Sequence, residues 1–172
     1  MPIVDSMIQE LEFEADATRR VLERVPTDKL EWQPHAKSFS IGKLAMHLAT
    51  IPGEFARLLA EEYVDFAVWE FGSNEPNPDV DLVALVDESV QDAKNWLASV
   101  DDEQAFAIWR GAVEGEEMVA LPRIAVIRSM IFNHWYHHRG QLCVYLRLLD
   151  IPVPAIYGPS ADENPFAGSE PQ

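Results

Sequence analysis

Only one cysteine, Cys143, occurs in the 172 residues. It can form no intrachain disulfide, and multi-cysteine zinc and iron–sulfur sites are excluded with it. Positive charge is scarce as well: 13 Lys and Arg stand against 29 Asp and Glu, a net charge of −16. Binding a phosphate backbone requires neutralising cations, so nucleic acid is not an expected partner. The same charge favours solubility and can attract cations, but it carries no information about the fold. No stretch approaches the run of about 20 apolar residues that a membrane span needs, so no membrane partner is expected. The N-terminal MPIVDSMIQELEFEAD is acidic and lacks the basic and apolar regions of a signal peptide. The cytoplasm is the expected compartment.

What is present is an ordinary globular balance, 48% hydrophobic and 24% charged, of a length that suits one domain over residues 1–172. A stripe through Ile3, Met7, Leu11, Ala15, Thr18 and Leu22 predicts a first helix over about 3–25, closed by Pro26. Ser40 is a good N-cap for a second helix reaching about Tyr63, with Ile41, Leu44, Leu48, Ile51, Phe55, Leu58 and Leu59 on its apolar face. Pro52 conflicts with that helix and predicts a kink or a break. The segment 64–80 is aromatic first and then a Pro/Asn/Gly loop. A third helix over about 81–99 opens at Asp79 or Asp81. Residues 100–121 are ambiguous; Phe106, Ile108 and Val113 suggest extended pieces around Gly111 and Gly115, with a hairpin as one arrangement. A fourth helix follows Pro122 and carries Ile127, Ile131, His134, His138, Leu142, Tyr145 and Leu149 before Pro152 and Pro154 stop it. From about residue 152 the tail is rich in Pro and Gly and has no periodicity. The expected class is therefore all-α, a four-helix bundle with long connections and an irregular C-terminal tail.

His134 and His138 stand four apart in the fourth helix, which puts both rings on one face, their Cβ atoms about 5–6 Å apart. An ion about 2.0–2.1 Å from each ring nitrogen fits between them. The zinc-protease motif HExxH is absent, because Trp135 occupies the place of its glutamate. His47 lies mid-helix in the apolar stretch AMHLATI, where a buried imidazole needs a partner. Ligation of a shared metal is one answer, and a hydrogen bond to a carbonyl or carboxylate is another. His137, at i+3 from His134, can also share its face but leans toward Met130, Asn133 and Gln141. His35 sits in a Pro-flanked loop and reads as solvent-exposed. Arg139 and Gln141 read either as helix-surface partners or as groups serving a site: Arg139 for an anionic substrate group, Gln141 to buttress an imidazole. Cys143 reads as a small packing residue. The aromatics of 63–71 read as core or dimer contact, or as an aromatic wall beside a metal.

Two stretches, SFSIGKLAMHLATIPGEF and NHWYHHRGQLCVYLRLLDIPVPAIYGPSADE, resemble the DinB/YfiT family of metal-dependent proteins, and the helix pattern between them agrees. The resemblance implies a four-helix bundle, often dimeric, so a homodimer is expected. It also implies one divalent metal held by three histidines, one on the second helix and two on the fourth. Carried onto this chain these are His47, His134 and His138, which selects His138 over His137. Related proteins use low-molecular-weight thiols such as bacillithiol or mycothiol, so the resemblance favours thiol transfer to an electrophilic small molecule. His137, Arg139 and Gln141 are then candidates for outer contacts, and no catalytic acid or base is assigned.

Three neutral imidazoles would leave a Zn²⁺ or Ni²⁺ ion its full charge and an open fourth position. Such a site suits either thiol transfer or hydrolysis, and the resemblance ranks a thiol S-transferase first and a hydrolase second. The competing reading is a non-catalytic binding or dimerisation module stapled by the metal.

Overall fold

A computed structural model describes residues 2–167. Helix α1 spans Ile3–Leu22 and is followed by a short 3₁₀ turn at Thr27–Lys29. Helix α2 spans Ile41–Ala60, strand β1 Tyr63–Asp65 and helix α3 Leu82–Leu97. A short helix α4, Asp102–Phe106, leads into strands β2, Ile108–Val113, and β3, Glu116–Pro122. The last helical stretch has three parts: α5, Arg123–Ile127, a π-helical segment Arg128–Asn133, and α6, His134–Leu148.

Start signals act where the sequence places them. The Ser40 side chain accepts from the Lys43 N–H at 3.2 Å. Asp81 accepts from Val83 and Ala84 N–H, each at 3.0 Å. Each bond satisfies a backbone donor that the first helical turn leaves without a partner. Helix α1 packs on α3 and α6, and α2 packs on the same two helices. The shared core includes Leu11, Leu22, Leu44, Leu48, Leu58, Leu97, Phe132 and Trp135.

The all-α expectation is wrong. A three-stranded mixed sheet, in the order β1-β2-β3, accompanies the helices. β2 and β3 form the antiparallel hairpin that was one reading of residues 100–121. Their connection turns at Glu114 and Gly115, with φ of 52° and 81°, the left-handed pair a tight hairpin turn requires. Asp65 holds this tip by accepting from Glu114 N–H at 3.1 Å and Gly115 N–H at 2.7 Å. β1 adds in parallel, Val64 opposite Gly111. Its first residue, Tyr63, was the expected end of the second helix, which stops at Ala60 instead, and Val64 and Asp65 open the segment read as aromatic and then loop. A three-residue strand has too few positions to show alternation, so the pattern could not separate it from helix. Gly111 is needed here: a Cβ would come within 2.7 Å of the Phe66 ring and 2.9 Å of the Trp109 ring.

Pro52 does not break α2. Proline lacks the N–H that would bond the carbonyl four residues back, at Leu48. That carbonyl accepts instead from the indole N–H of Trp135 in α6, at 2.9 Å. One turn further on, the Ser89 hydroxyl of α3 accepts from Gly53 N–H at 2.8 Å and donates to the Thr50 carbonyl at 3.0 Å. Two neighbouring helices thus bond backbone groups of α2 around the proline. The tail expected to be irregular from about 152 contains no helix or strand over 152–167; residues 168–172 of that tail lie outside the described residues.

Candidate metal centre

The site lies where α2 meets the start of α6. His47 projects from the middle of α2, while His134 and His138 stand one turn apart at the beginning of α6. Ring centroids are 5.0 Å apart for His47 and His134, 4.8 Å for His47 and His138, and 4.6 Å for His134 and His138. One nitrogen from each ring lies within 4.8 Å of the others, so this triad could hold a metal ion.

The π-helical segment ends at Asn133, immediately before His134. It widens the helix just before the site, a placement common at functional positions. The buried face of the helix runs through Ile127, Ile131, Phe132, Trp135, Arg139 and Leu142. His134 and His138 lie beside this stripe, half-buried, rather than on it as the sequence pattern suggested. The core face therefore packs α6 while its flank presents imidazoles.

Two of the three rings are fixed by their Nδ1 atoms. His134 Nδ1–H donates to the Met130 carbonyl at 3.3 Å, and His138 Nδ1–H donates to Gln141 Oε1 at 2.7 Å. A proton on Nδ1 leaves a lone pair on Nε2. His47 Nε2 lies 3.2 Å from His134 Nε2. Two imidazole nitrogens on one tetrahedral ion, each about 2.0–2.1 Å from it, stand about 3.4 Å apart, so this separation fits. The donor set and the spacing both accommodate an ion.

Burial, followed by the charges of His138 and His134, pushes His47 down from 6.5 to about 4. Burial and then His138 push His134 to about 4 as well, against the Met130 carbonyl. His138 is lowered, chiefly by burial. All three are neutral near pH 7, as metal ligation requires. In the metal-free chain these depressed values also set a pH dependence. Between the unfolded value of 6.5 and the folded value of about 4, the unfolded chain takes up protons that the folded chain refuses. Stability from this source is complete above about pH 6.5 and is lost as pH falls toward about 4. Urea midpoints of the metal-free protein between pH 7.5 and 4.5 should therefore fall on acidification, and less steeply for His47→Gln. Equal slopes would show that His47 is not held neutral by the fold.

His137 lies outside the triad. It is exposed, and its ring centroid is 5.0 Å from that of His138. His35 is exposed in its loop and accepts from Lys37 N–H at 3.1 Å. Arg139 is only 2% exposed and turns into the core, where it pairs with Glu14. Cys143 is half-buried, and burial raises its thiol pKa. Aromatic rings edge the triad: Phe39 lies 6.2 Å from His47, and Phe55 lies 5.2 Å from His134, with Phe71 6.0 Å beyond Phe55. Sequence reasoning missed Asn74, whose Nδ2 is 3.4 Å from His47 Nδ1. A single asparagine in a Pro-rich loop gives no pattern by which to find it.

The model of the DinB family matches residues 1–167 of this sequence. The chain belongs to the DinB family. Among DinB-related sequences it is 24% identical over 164 residues to the uncharacterized protein YrdA of Bacillus subtilis strain 168, covering 93% of this chain and 91% of that protein. Two solved DinB-like proteins share the fold. One, from Bacillus cereus ATCC 10987, gives a TM-score of 0.64 at 18% identity, with 89% of this chain and 97% of that one covered. The other, YjoA of Bacillus subtilis, gives 0.65 at 18% identity, covering 88% and 97%. At such identities the likeness speaks for the fold alone. Among the described residues no helix is long and apolar enough to cross a membrane.

Proposed function

We propose that His47, His134 and His138 hold one divalent transition-metal ion, and that the site activates a low-molecular-weight thiol for transfer to an electrophilic small molecule. The observation that supports this most is the set of fixed tautomers. The Met130 carbonyl and the Gln141 amide hold protons on the outer nitrogens of two rings, so their Nε2 lone pairs remain available at the triad. Among the described residues no carboxylate or thiol joins the three histidines in a ligand cluster. Three protein donors with a further position open are the pattern of catalytic rather than structural zinc sites. Imidazole donors suit Zn²⁺ and Ni²⁺, which makes these the leading metals. When bound, such an ion supplies positive charge that lowers the pKa of a thiol or a water.

Phe39, 44% exposed, and the buried Phe55 border the triad with apolar surface, which Phe71, also 44% exposed, extends beyond Phe55. Such surface suits the carbon skeleton of an electrophile and keeps water away from a thiolate. His137 stands exposed beside His138, where it can touch a substrate.

The test is conjugation of a small thiol to an aryl or alkyl halide by protein loaded with Zn²⁺ or Ni²⁺. The expected result is metal-dependent conjugation, abolished by chelation and by His138→Ala. Ester hydrolysis without conjugation would move the assignment to a metal-dependent hydrolase. Background rates in every sample would sink the catalytic reading and favour a metal-stapled binding module.

A further inference from the structure

We infer that Asn74 is the positioning residue for His47, and that its side-chain amide reverses between the metal-free and metal-loaded centre. This rests on the metal reading above. His134 and His138 have their protons placed by acceptors on their own helix, whereas His47 meets a loop side chain.

That loop is a strap laid along α2. The Arg57 guanidinium donates to the Glu70 carbonyl at 2.8 Å, and Gly72 N–H donates to the Glu54 carboxylate. The Thr50 hydroxyl faces Asn74 Oδ1 at 3.4 Å, and the Lys43 ammonium pairs with Glu75 at 3.4 Å. Positions 57, 54, 50 and 43 step back along one helix face by three, four and seven residues. The strap therefore runs antiparallel to α2 and delivers Asn74 to His47.

With the amide as it stands, Asn74 Nδ2–H donates to His47 Nδ1. The His47 proton is then on Nε2 and points at the lone pair of His134 Nε2, 3.2 Å away. This arrangement satisfies both rings without an ion. An ion needs the lone pair of His47 Nε2, so the proton must reside on Nδ1. Asn74 Nδ2 would then oppose donor to donor. Rotating the amide by half a turn exchanges oxygen and nitrogen in the same volume. Oδ1 then accepts from His47 Nδ1–H, and Nδ2–H donates to Thr50 Oγ1. The Thr50 hydroxyl can serve both states, because its own proton can go to the Met46 or the His47 carbonyl, each 3.2 Å away. The ring loses one proton from Nε2 and gains one on Nδ1 through solvent, so the exchange has no net proton cost.

The experiment is a Zn²⁺ competition titration against a chromophoric chelator, together with ¹⁵N NMR of the His47 ring. Asn74→Ala is expected to weaken Zn²⁺ binding about 10–100-fold, as loss of an outer hydrogen bond does elsewhere. Asn74→Asp, an acceptor of the same shape, should restore tight binding, whereas Asn74→Leu should not. The wild-type His47 proton should move from Nε2 to Nδ1 on loading, and in Asn74→Asp it should sit on Nδ1 in both states. If Asn74→Ala binds Zn²⁺ as tightly as wild type while His134→Ala does not, the metal reading stands and the role of Asn74 falls. If neither variant changes binding, both fall. Weakening by Asn74→Ala with no rescue by aspartate, or an unchanged His47 tautomer, would also overturn the inference.

Discussion

Loading with Zn²⁺ or Ni²⁺ is expected to raise the melting temperature of the wild-type chain by on the order of 10 °C and to leave His134→Ala and His138→Ala almost unmoved. An ion that binds only the folded state adds about 4 kcal/mol of stability when its free concentration is about a thousand times Kd. For a domain of this size, 1 kcal/mol corresponds to roughly 2–4 °C. Deleting one of three donors should weaken binding by more than the roughly 10–100-fold lost with an outer hydrogen bond, so the stabilisation at the same metal concentration collapses. His137→Ala is the informative comparison. It removes an imidazole from the same helix but outside the triad, and it should keep both the metal and the full thermal shift. Metal analysis after gel filtration and differential scanning calorimetry read the two quantities independently. Retention by His138→Ala with loss in His137→Ala would move the second α6 donor by one residue. Equal shifts in all variants would place the metal elsewhere.

The histidines were legible because a four-residue spacing on a helix is a geometric statement, and because the second helix had a recognisable cap and stripe. The trio itself came from the family resemblance, since spacing alone could not choose His138 over His137 or give His47 a partner. The hairpin was half legible: Gly111 and Gly115 marked a chain reversal, but the short β1 carried no period of its own. Pro52 was legible as a conflict and not as its solution. Its missing N–H leaves the Leu48 carbonyl free, and a buried carbonyl requires a donor. Trp135 supplies that donor from the other end of the chain. The residue noted in the sequence only for standing where a glutamate would be thus joins α2 to α6 immediately beside His134. Asn74 and Glu14 were not legible, because their partners are 27 and 125 residues away and no local pattern encodes such pairings.

Glu14→Ala and Arg139→Ala should each cost about 3–5 kcal/mol of folding stability, the usual penalty for leaving half of a buried ion pair behind. Both side chains are nearly inaccessible, at 3% for Arg139 and 7% for Glu14. The guanidinium donates to Glu14 Oε2 at 2.6 Å, to the Glu14 carbonyl at 3.1 Å and to the Thr18 hydroxyl at 3.2 Å. It also donates to the Tyr157 hydroxyl, which in turn donates to Glu14 Oε2 at 3.0 Å. Its planar charge lies against the rings of Tyr136 and Tyr157, 5.3 and 5.2 Å from their centroids. One side chain of α6 thus ties α1 and the tail to the helix that carries two of the triad histidines. Arg139→Lys should lose most of this, since an ammonium lacks the fork that reaches all four acceptors. Replacing both partners, as in Glu14→Leu with Arg139→Met, should recover much of the stability because no charge is then buried unpaired. Urea unfolding of the two single variants and the double variant measures the coupling. Additive losses in the double variant would show that the pair is not a coupled buried unit. Metal affinity offers a second readout: if α6 is held in register through Arg139, the single variants should bind Zn²⁺ more weakly even though neither residue touches the triad.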